Sequence, residues 1–244
     1  MTIQEELKEI LFETKRLISA CREMGLEPPM LQKGALDFIH HKPTSKRPAT
    51  PVTPSPSFGS LEALRDHIGD CHRCNLHTGR KNLVFGEGDE TAKLVFVGEG
   101  PGFDEDQTGR PFVGKAGELL TRIIENGMGL TRDSVYICNV VKCRPPDNRD
   151  PNPVEIDICL PFLKAQLAII KPDVICALGR VACQALLGSG FRITRDRGRW
   201  RTYEDIPLMP TFHPAYLLRN PAAKRPVWDD VKSIMGKLGL EVKS

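Results

Sequence analysis

Four of the eight cysteines in this 244-residue sequence are spaced for chemistry. Cys71 and Cys74 form a C-x2-C pair on a short loop, and Cys143 and Cys159 follow far along the chain with fifteen residues between them. The close pair alone also suits a zinc knuckle or a redox motif, but a zinc site ordinarily supplies a second close pair of Cys or His. Here the second half is wide, with Cys143 at the end of an apolar run and Cys159 inside a helical one. Four thiolates brought from scattered elements suit a [4Fe–4S] cluster, whose irons take four soft ligands. Cationic Arg73, Lys142 and Arg144 beside them would offset a cluster's negative charge. His72 and His77 are possible ligands too, although they read as solvated loop histidines. Cys21, Cys138, Cys176 and Cys183 lie in apolar surroundings or on helical stripes and read as small core hydrophobes.

A second set of polar residues lies in glycine- and proline-bearing segments. Gly98 to Asp106 and Gly109 to Gly117 are glycine-rich enough to suggest a phosphate loop. They lack both the G-x-x-x-x-G-K-[ST] and the G-x-G-x-x-G arrangements, and three acidic residues beside the glycines would repel phosphate. Asn139 ends an apolar run, and His213 precedes Pro214. Either residue could be a simple turn former. Arg192, Arg195, Arg197, Arg199 and Arg201 make a dense basic stretch around Trp200, which suits phosphate contact or a solvated hairpin. Lys142, Arg144 and Arg149 flank a proline-rich loop at 145–153 and would add to that footprint.

The elements that must position these residues alternate in type. Residues 94–97, 135–141, 174–178 and 207–211 read as short buried strands, and 114–126, 153–170 and 180–187 as helices. Such alternation implies an α/β three-layer sandwich around a central four-stranded parallel sheet. Ligands of such sheets bind beyond the carboxyl ends of the strands. Three of the four strands run into the loops at 98–102, 142–146 and 212–214, so those loops should share one rim.

Composition is compatible with this picture without selecting it. Hydrophobic content of 40% supports a core, and a net charge of +3 is only mildly basic. No apolar run spans a bilayer and the N-terminus lacks the features of a signal peptide, so a cytoplasmic protein with unpaired cysteines is expected. Residues 1–40 form an N-terminal segment whose apolar stripe (Ile3, Leu7, Ile10, Leu17) predicts an amphipathic helix, packed on its own domain or bound to a partner protein. Residues 41–59 read as a proline-rich linker, and 60–244 as the folded domain, expected to be monomeric.

Taken together, the Gly98–Gly117 run, Asn139 to Cys143, His213 to Leu218 and the four-cysteine spacing resemble the family 4 uracil-DNA glycosylases. The resemblance covers about residues 60–238, with four separated motifs in order. It implies an enzyme of base excision repair that flips uracil out of DNA, single- or double-stranded, and hydrolyses its N-glycosidic bond to leave an abasic site. It also implies the [4Fe–4S] cluster on Cys71, Cys74, Cys143 and Cys159, in a structural role, because the reaction transfers no electrons. Phe112 would be the face on which uracil stacks. The Asn139 amide would match uracil O4 and N3–H, which cytosine presents in reverse. His213 would stabilise negative charge gathering at uracil O2. Glu99 and the Gly100 amide would line the pocket. Many relatives carry a water-positioning Asp where this chain has Gly100, so Glu99 is the expected water-positioning residue, with Asp104 and Asp106 behind it. Glu105 would form the wall that excludes thymine's methyl group. Leu217 or Leu218 would wedge into the duplex, and Arg219, Arg197 and Arg199 would contact DNA.

No lysine in these motifs is placed for Schiff-base chemistry, so no strand-cleaving step is expected. Two non-enzymatic alternatives remain open. One is a protein of the same superfamily that captures uracil-DNA without turnover, covalently through a histidine, although no histidine occurs between His77 and His213. The other is an iron–sulfur module associated with a DNA polymerase.

Overall fold

The computed structural model describes residues 58–241. The segments expected at 1–40 and across most of 41–59 lie outside the described residues.

Six strands form one sheet: β1 (Glu87–Gly88), β2 (Leu94–Gly98), β3 (Tyr136–Asn139), β4 (Val174–Leu178), β5 (Arg201–Tyr203) and β6 (Ile206–Thr211). Their order is β1-β3-β2-β4-β6-β5. The four inner strands are parallel and are the four expected from the apolar runs. The edge strands β1 and β5 pair antiparallel with β3 and β6. They add to the four-stranded expectation because one is two residues long and the other is polar and largely exposed, so neither carries an apolar signature. The hairpin from β5 to β6 turns on Glu204 and Asp205, whose φ angles of 45° and 67° give the left-handed pair that a two-residue turn needs.

Helices cover both faces. They are α1 (Leu61–Ile68), α2 (Phe103–Thr108), α3 (Lys115–Arg122), α4 (Pro153–Ile170), α5 (Gly179–Leu187), α6 (Ile193–Asp196), α7 (Pro214–Arg219) and α8 (Lys224–Leu238). Alternate residues of β2 feed opposite cores. Val95 and Val97 join Leu64 of α1 and Leu163 of α4, whereas Leu94 and Phe96 join Leu120 of α3 and Ile234 of α8. The middle strands are buried on both faces, which is why they read as unbroken apolar runs. Helix α4 starts where sequence places it, at Pro153 behind a capping box: Asn152 Oδ1 accepts from Glu155 N at 2.9 Å and the Glu155 carboxylate accepts from Asn152 N at 2.8 Å. The helix expected through residue 126 continues past α3 as a π-turn, Ile123–Gly127. Cys138, Cys176 and Cys183 are core residues, as their surroundings implied. Among the described residues no helix is long and apolar enough to cross a membrane.

Candidate active site

The carboxyl ends of β2, β3 and β6 open onto a cleft of about 410 Å³. Glu99, Gly100, Glu105, Phe112, Asn139 and His213, six residues from four separate stretches of sequence, all line it. The shared rim inferred from strand ends is therefore real.

Asn139 closes β3 with 1% of its surface exposed, and its Oδ1 has no hydrogen-bond partner. A buried acceptor left unpaired costs about 1–3 kcal/mol, so it calls for an explanation, and this one lies in a residue that lines the cleft. Gly98 makes room for it: a Cβ there would stand 2.3 Å from Asn139 Oδ1 and 2.5 Å from Phe112 Cζ. Phe112 adopts φ of +52°, a left-handed conformation that is costly for an aromatic residue. Its main chain presses on Gly117, where a Cβ would approach the Phe112 carbonyl to 2.0 Å. The turn is held from below by Glu105. One carboxylate oxygen accepts from Val113 N at 2.8 Å and Gly114 N at 2.9 Å, and the other accepts from Gly102 N at 3.1 Å.

His213 lies across the cleft at the N-terminus of α7, its ring centroid 5.5 Å from that of Phe112 and tilted by 31°. Its Nδ1 accepts from Ala215 N at 3.2 Å. The histidine is thus both a turn-forming helix cap and a cleft residue. The cap also fixes the tautomer, since an accepting Nδ1 leaves the proton on Nε2. Burial, helped by the nearby Arg219 charge and opposed by Glu105, pulls its pKa down to about 4. At neutral pH it is an uncharged N–H donor. Glu99 moves the other way: burial first, then the neighbouring Asp150 carboxylate, push it up to about 7 against the pull of Arg180. Asp150, which ion-pairs with Arg180, lines the cleft without having stood out in the sequence, where only the basic residues of the 145–153 loop did. That loop follows β3, so the same strand-end rule points to it.

Several expected contacts are corrected. Leu217 is 1% exposed and packs in the core, so it has no surface to offer a duplex, whereas Leu218 is 43% exposed. Arg197 is spent on structure. Its guanidinium pairs with Asp230 at 2.6 Å, donates to the Pro226 carbonyl at 2.6 Å and lies 5.2 Å over the Phe212 ring. Arg195 pairs with Asp196. Arg199 is exposed, and Arg219 lines the cleft. Lys142 is buried and reaches no solvent. Asp106 is buried as well, accepting from the Lys81 and Asn82 amides at 2.8 and 3.2 Å, and neither it nor Asp104 lines the cleft. Asp106 therefore neither backs the water site nor sits on a solvated face.

On the far side of β3, Cys71, Cys74, Cys143 and Cys159 line one small cavity with Ile68, Leu83 and Phe162. Arg73 donates to Cys71 Sγ at 3.2 Å and Arg80 to Cys143 Sγ at 3.3 Å. Arg80 takes the place expected of Arg144, which instead lies 5.1 Å over the Phe103 ring. Among the described residues, no three His, Cys, Asp or Glu side chains are gathered as a single metal ion would need them.

Residues 85–232 match the family model for the uracil DNA glycosylase superfamily. The type-4 uracil-DNA glycosylase of Thermotoga maritima is 48% identical over 188 residues, covering 73% of this chain and 96% of its own. That of Sulfurisphaera tokodaii is 46% identical, covering 72% of this chain and 83% of its own. A third, from Saccharolobus solfataricus, is 41% identical, covering 72% and 85%. With these motifs lining one cleft and relatives matched across most of their length, the chain belongs to the uracil DNA glycosylase superfamily, on its type-4 branch.

Proposed function

We propose that this chain hydrolyses the N-glycosidic bond of deoxyuridine in DNA, releasing uracil and leaving an abasic site. The single observation that carries the reading is the unpaired, buried Asn139 Oδ1 facing a cleft that Phe112 and His213 also line. It is an acceptor in want of a donor, and uracil N3–H is one. Cytosine N3 is an acceptor and would leave both groups unpaired, a penalty that gives strong discrimination.

The flipped base would stack on Phe112. As the C1′–N1 bond breaks, the electron pair passes into the uracil ring and collects on O2, where the His213 Nε2–H donates. Such a preorganised donor is worth ~3 kcal/mol of barrier. Water adds to C1′ and gives its proton to Glu99, whose carboxyl is half ionised near neutral pH. Glu105 acts through its hold on the Phe112 turn, shaping the wall that excludes a 5-methyl group. Arg219, Arg199 and exposed Leu218 supply the DNA contacts that Leu217 and Arg197 do not.

The four-cysteine cavity suits a [4Fe–4S] cluster: four soft donors from three segments and two arginines donating hydrogen bonds to sulfur match a negatively charged group. Bound there, the cluster would tie the 71–74 loop to β3 and α4, and no step of the hydrolysis needs its electrons.

The test incubates the purified protein with an end-labelled oligonucleotide containing one uracil and then cleaves abasic sites with alkali. The expected result is cleavage at uracil only after alkali. Asn139→Ala and His213→Ala should be nearly inactive while retaining iron and visible absorbance. An inert wild-type protein, or a complex with uracil-DNA that survives denaturing electrophoresis, overturns the reading.

A further inference from the structure

Lys142 is the one lysine among the largest fully buried side chains, with 1% of its surface exposed. Burying an ammonium is expensive unless it is paired. Among the described residues no carboxylate pairs with it. Its Nζ donates instead to the Asn139 carbonyl at 2.7 Å and to Gln166 Oε1 at 2.6 Å. Gln166 is itself fixed, donating to the Phe85 carbonyl at 2.9 Å and to the Tyr136 hydroxyl at 3.2 Å. Lys142 also lines the four-cysteine cavity. One side of this side chain therefore faces the cysteines, and its tip holds the main chain of the residue that reads the base.

We propose that Lys142 is a positioning residue that ties the four-cysteine site to the base-reading amide of Asn139. The inference rests on the reading of cleft and cluster given above. A cluster held by the four cysteines would pack against the lysine's stem, because Lys142 lines the same cavity. The ammonium in turn anchors the Asn139 carbonyl at the end of β3, on the same residue as the Oδ1 that meets the substrate. Lys142 does not line the cleft, so its effect there must pass through Asn139. A cluster on one face of β3 thereby sets the precision of recognition on the rim.

The test uses the full chain and compares Lys142→Met with Gln166→Met. The second variant removes the bonds to Phe85 and Tyr136 and the lysine's second acceptor, but leaves the lysine's bond to the Asn139 carbonyl, so it separates loss of the surrounding network from loss of the anchor on Asn139. Free uracil binding is measured by calorimetry, kcat and KM by excision, and cluster retention by iron content and visible absorbance under a chelator. Lys142→Met should weaken free-uracil binding roughly tenfold, about the worth of one misplaced hydrogen bond, and shed iron faster. Gln166→Met should lose stability with uracil affinity unchanged within about twofold. If Lys142→Met does not fold, Lys142→Gln, which keeps a donor on a shorter stem, is read the same way. Affinity that stays at the wild-type value in the lysine variant, or that falls in step with stability in both variants, overturns the proposal. A wild-type protein that excises uracil but holds no iron overturns the tie while leaving the activity standing. One that neither binds nor excises uracil refutes the underlying function instead.

Discussion

The strand-end cleft and the arginine-rich stretch at 192–201 look equally functional as sequence, and the structure separates them by how well their polar groups are satisfied. In the stretch, Asp196 is bound by Arg195 and by the Arg192 amide, and Asp230 is bound by Arg197 and by Thr211 Oγ1 at 2.6 Å. In the cleft, Asn139 Oδ1 has no partner, Phe112 holds a costly φ, and His213 and Glu99 have pKa values displaced in opposite directions. The buried acids of the stretch are saturated and build the fold, whereas the cleft gathers an unpaired acceptor, a strained aromatic and two displaced titratable groups in one place; Tyr203, whose buried hydroxyl is also unpaired, has no such company.

The sharpest way to break this contrast is to remove one group from each region. His213→Ala should lower the rate of uracil excision by about a hundred- to a thousandfold, with a loss of only about 1 kcal/mol in unfolding free energy from the missing helix cap. Asp230→Ala should do the reverse. It strands the largely buried Arg197 guanidinium and should cost about 3 kcal/mol of stability in urea unfolding, while excision at low temperature stays within a few-fold of wild type. A large loss of stability in the first variant, or of catalysis in the second, would erase the distinction.

A smaller effect tests the displaced carboxyl. Because Glu99 must be ionised to take a proton from water, excision should rise with pH through about 7, whereas neutral His213, with its pKa about 4, adds no limb there. Asp150→Asn removes a repelling charge and should move that midpoint to lower pH. The same shift has a stability signature. Folded Glu99 holds its proton longer than the unfolded chain does, so stability falls as pH rises from the ordinary value of 4.5 to about 7. Glu99→Gln should abolish that fall and flatten the rate profile. A wild-type rate independent of pH between 6 and 8 would remove Glu99 from the water.

The four inner strands and helix α4 are legible in the sequence because burial on both faces leaves unbroken apolar runs and because Asn152-Pro153 marks a helix start. The rim itself is legible because strand ends in a parallel sheet share one, whereas the individual cleft residues, Phe112 and Glu105 above all, are picked out by the family resemblance. What sequence hides is pairing. Nothing in the spacing of Arg197 shows that Asp230, far along the chain, neutralises it. Nothing in the segment from His213 to Arg219 shows which of two adjacent leucines faces inward. A single turn of helix α7 puts Leu217 in the core and Leu218 outside, and only the packing partner decides the phase. Lys142 misleads for the same reason, since a lysine between two apolar residues and a cysteine gives no sign that Gln166 and a main-chain carbonyl await it.

The weakest effect separates the arginines of the basic stretch from one another. Arg199 is exposed and has neither hydrogen bond nor ion pair among the described residues, so its charge is free to meet a phosphate. Arg197 is not, because leaving Asp230 would uncover a buried carboxylate. Removing one cation that neutralises a phosphate reduces the slope of log affinity against log salt by about one. Arg199→Ala should therefore shallow that slope by about one for a uracil-bearing strand, measured by fluorescence anisotropy across a salt series. Arg197→Lys, which keeps a charge in the same pocket, should leave the slope where it is. Equal slopes for wild type and Arg199→Ala would place the strand elsewhere on the rim, toward Arg219 and Arg144.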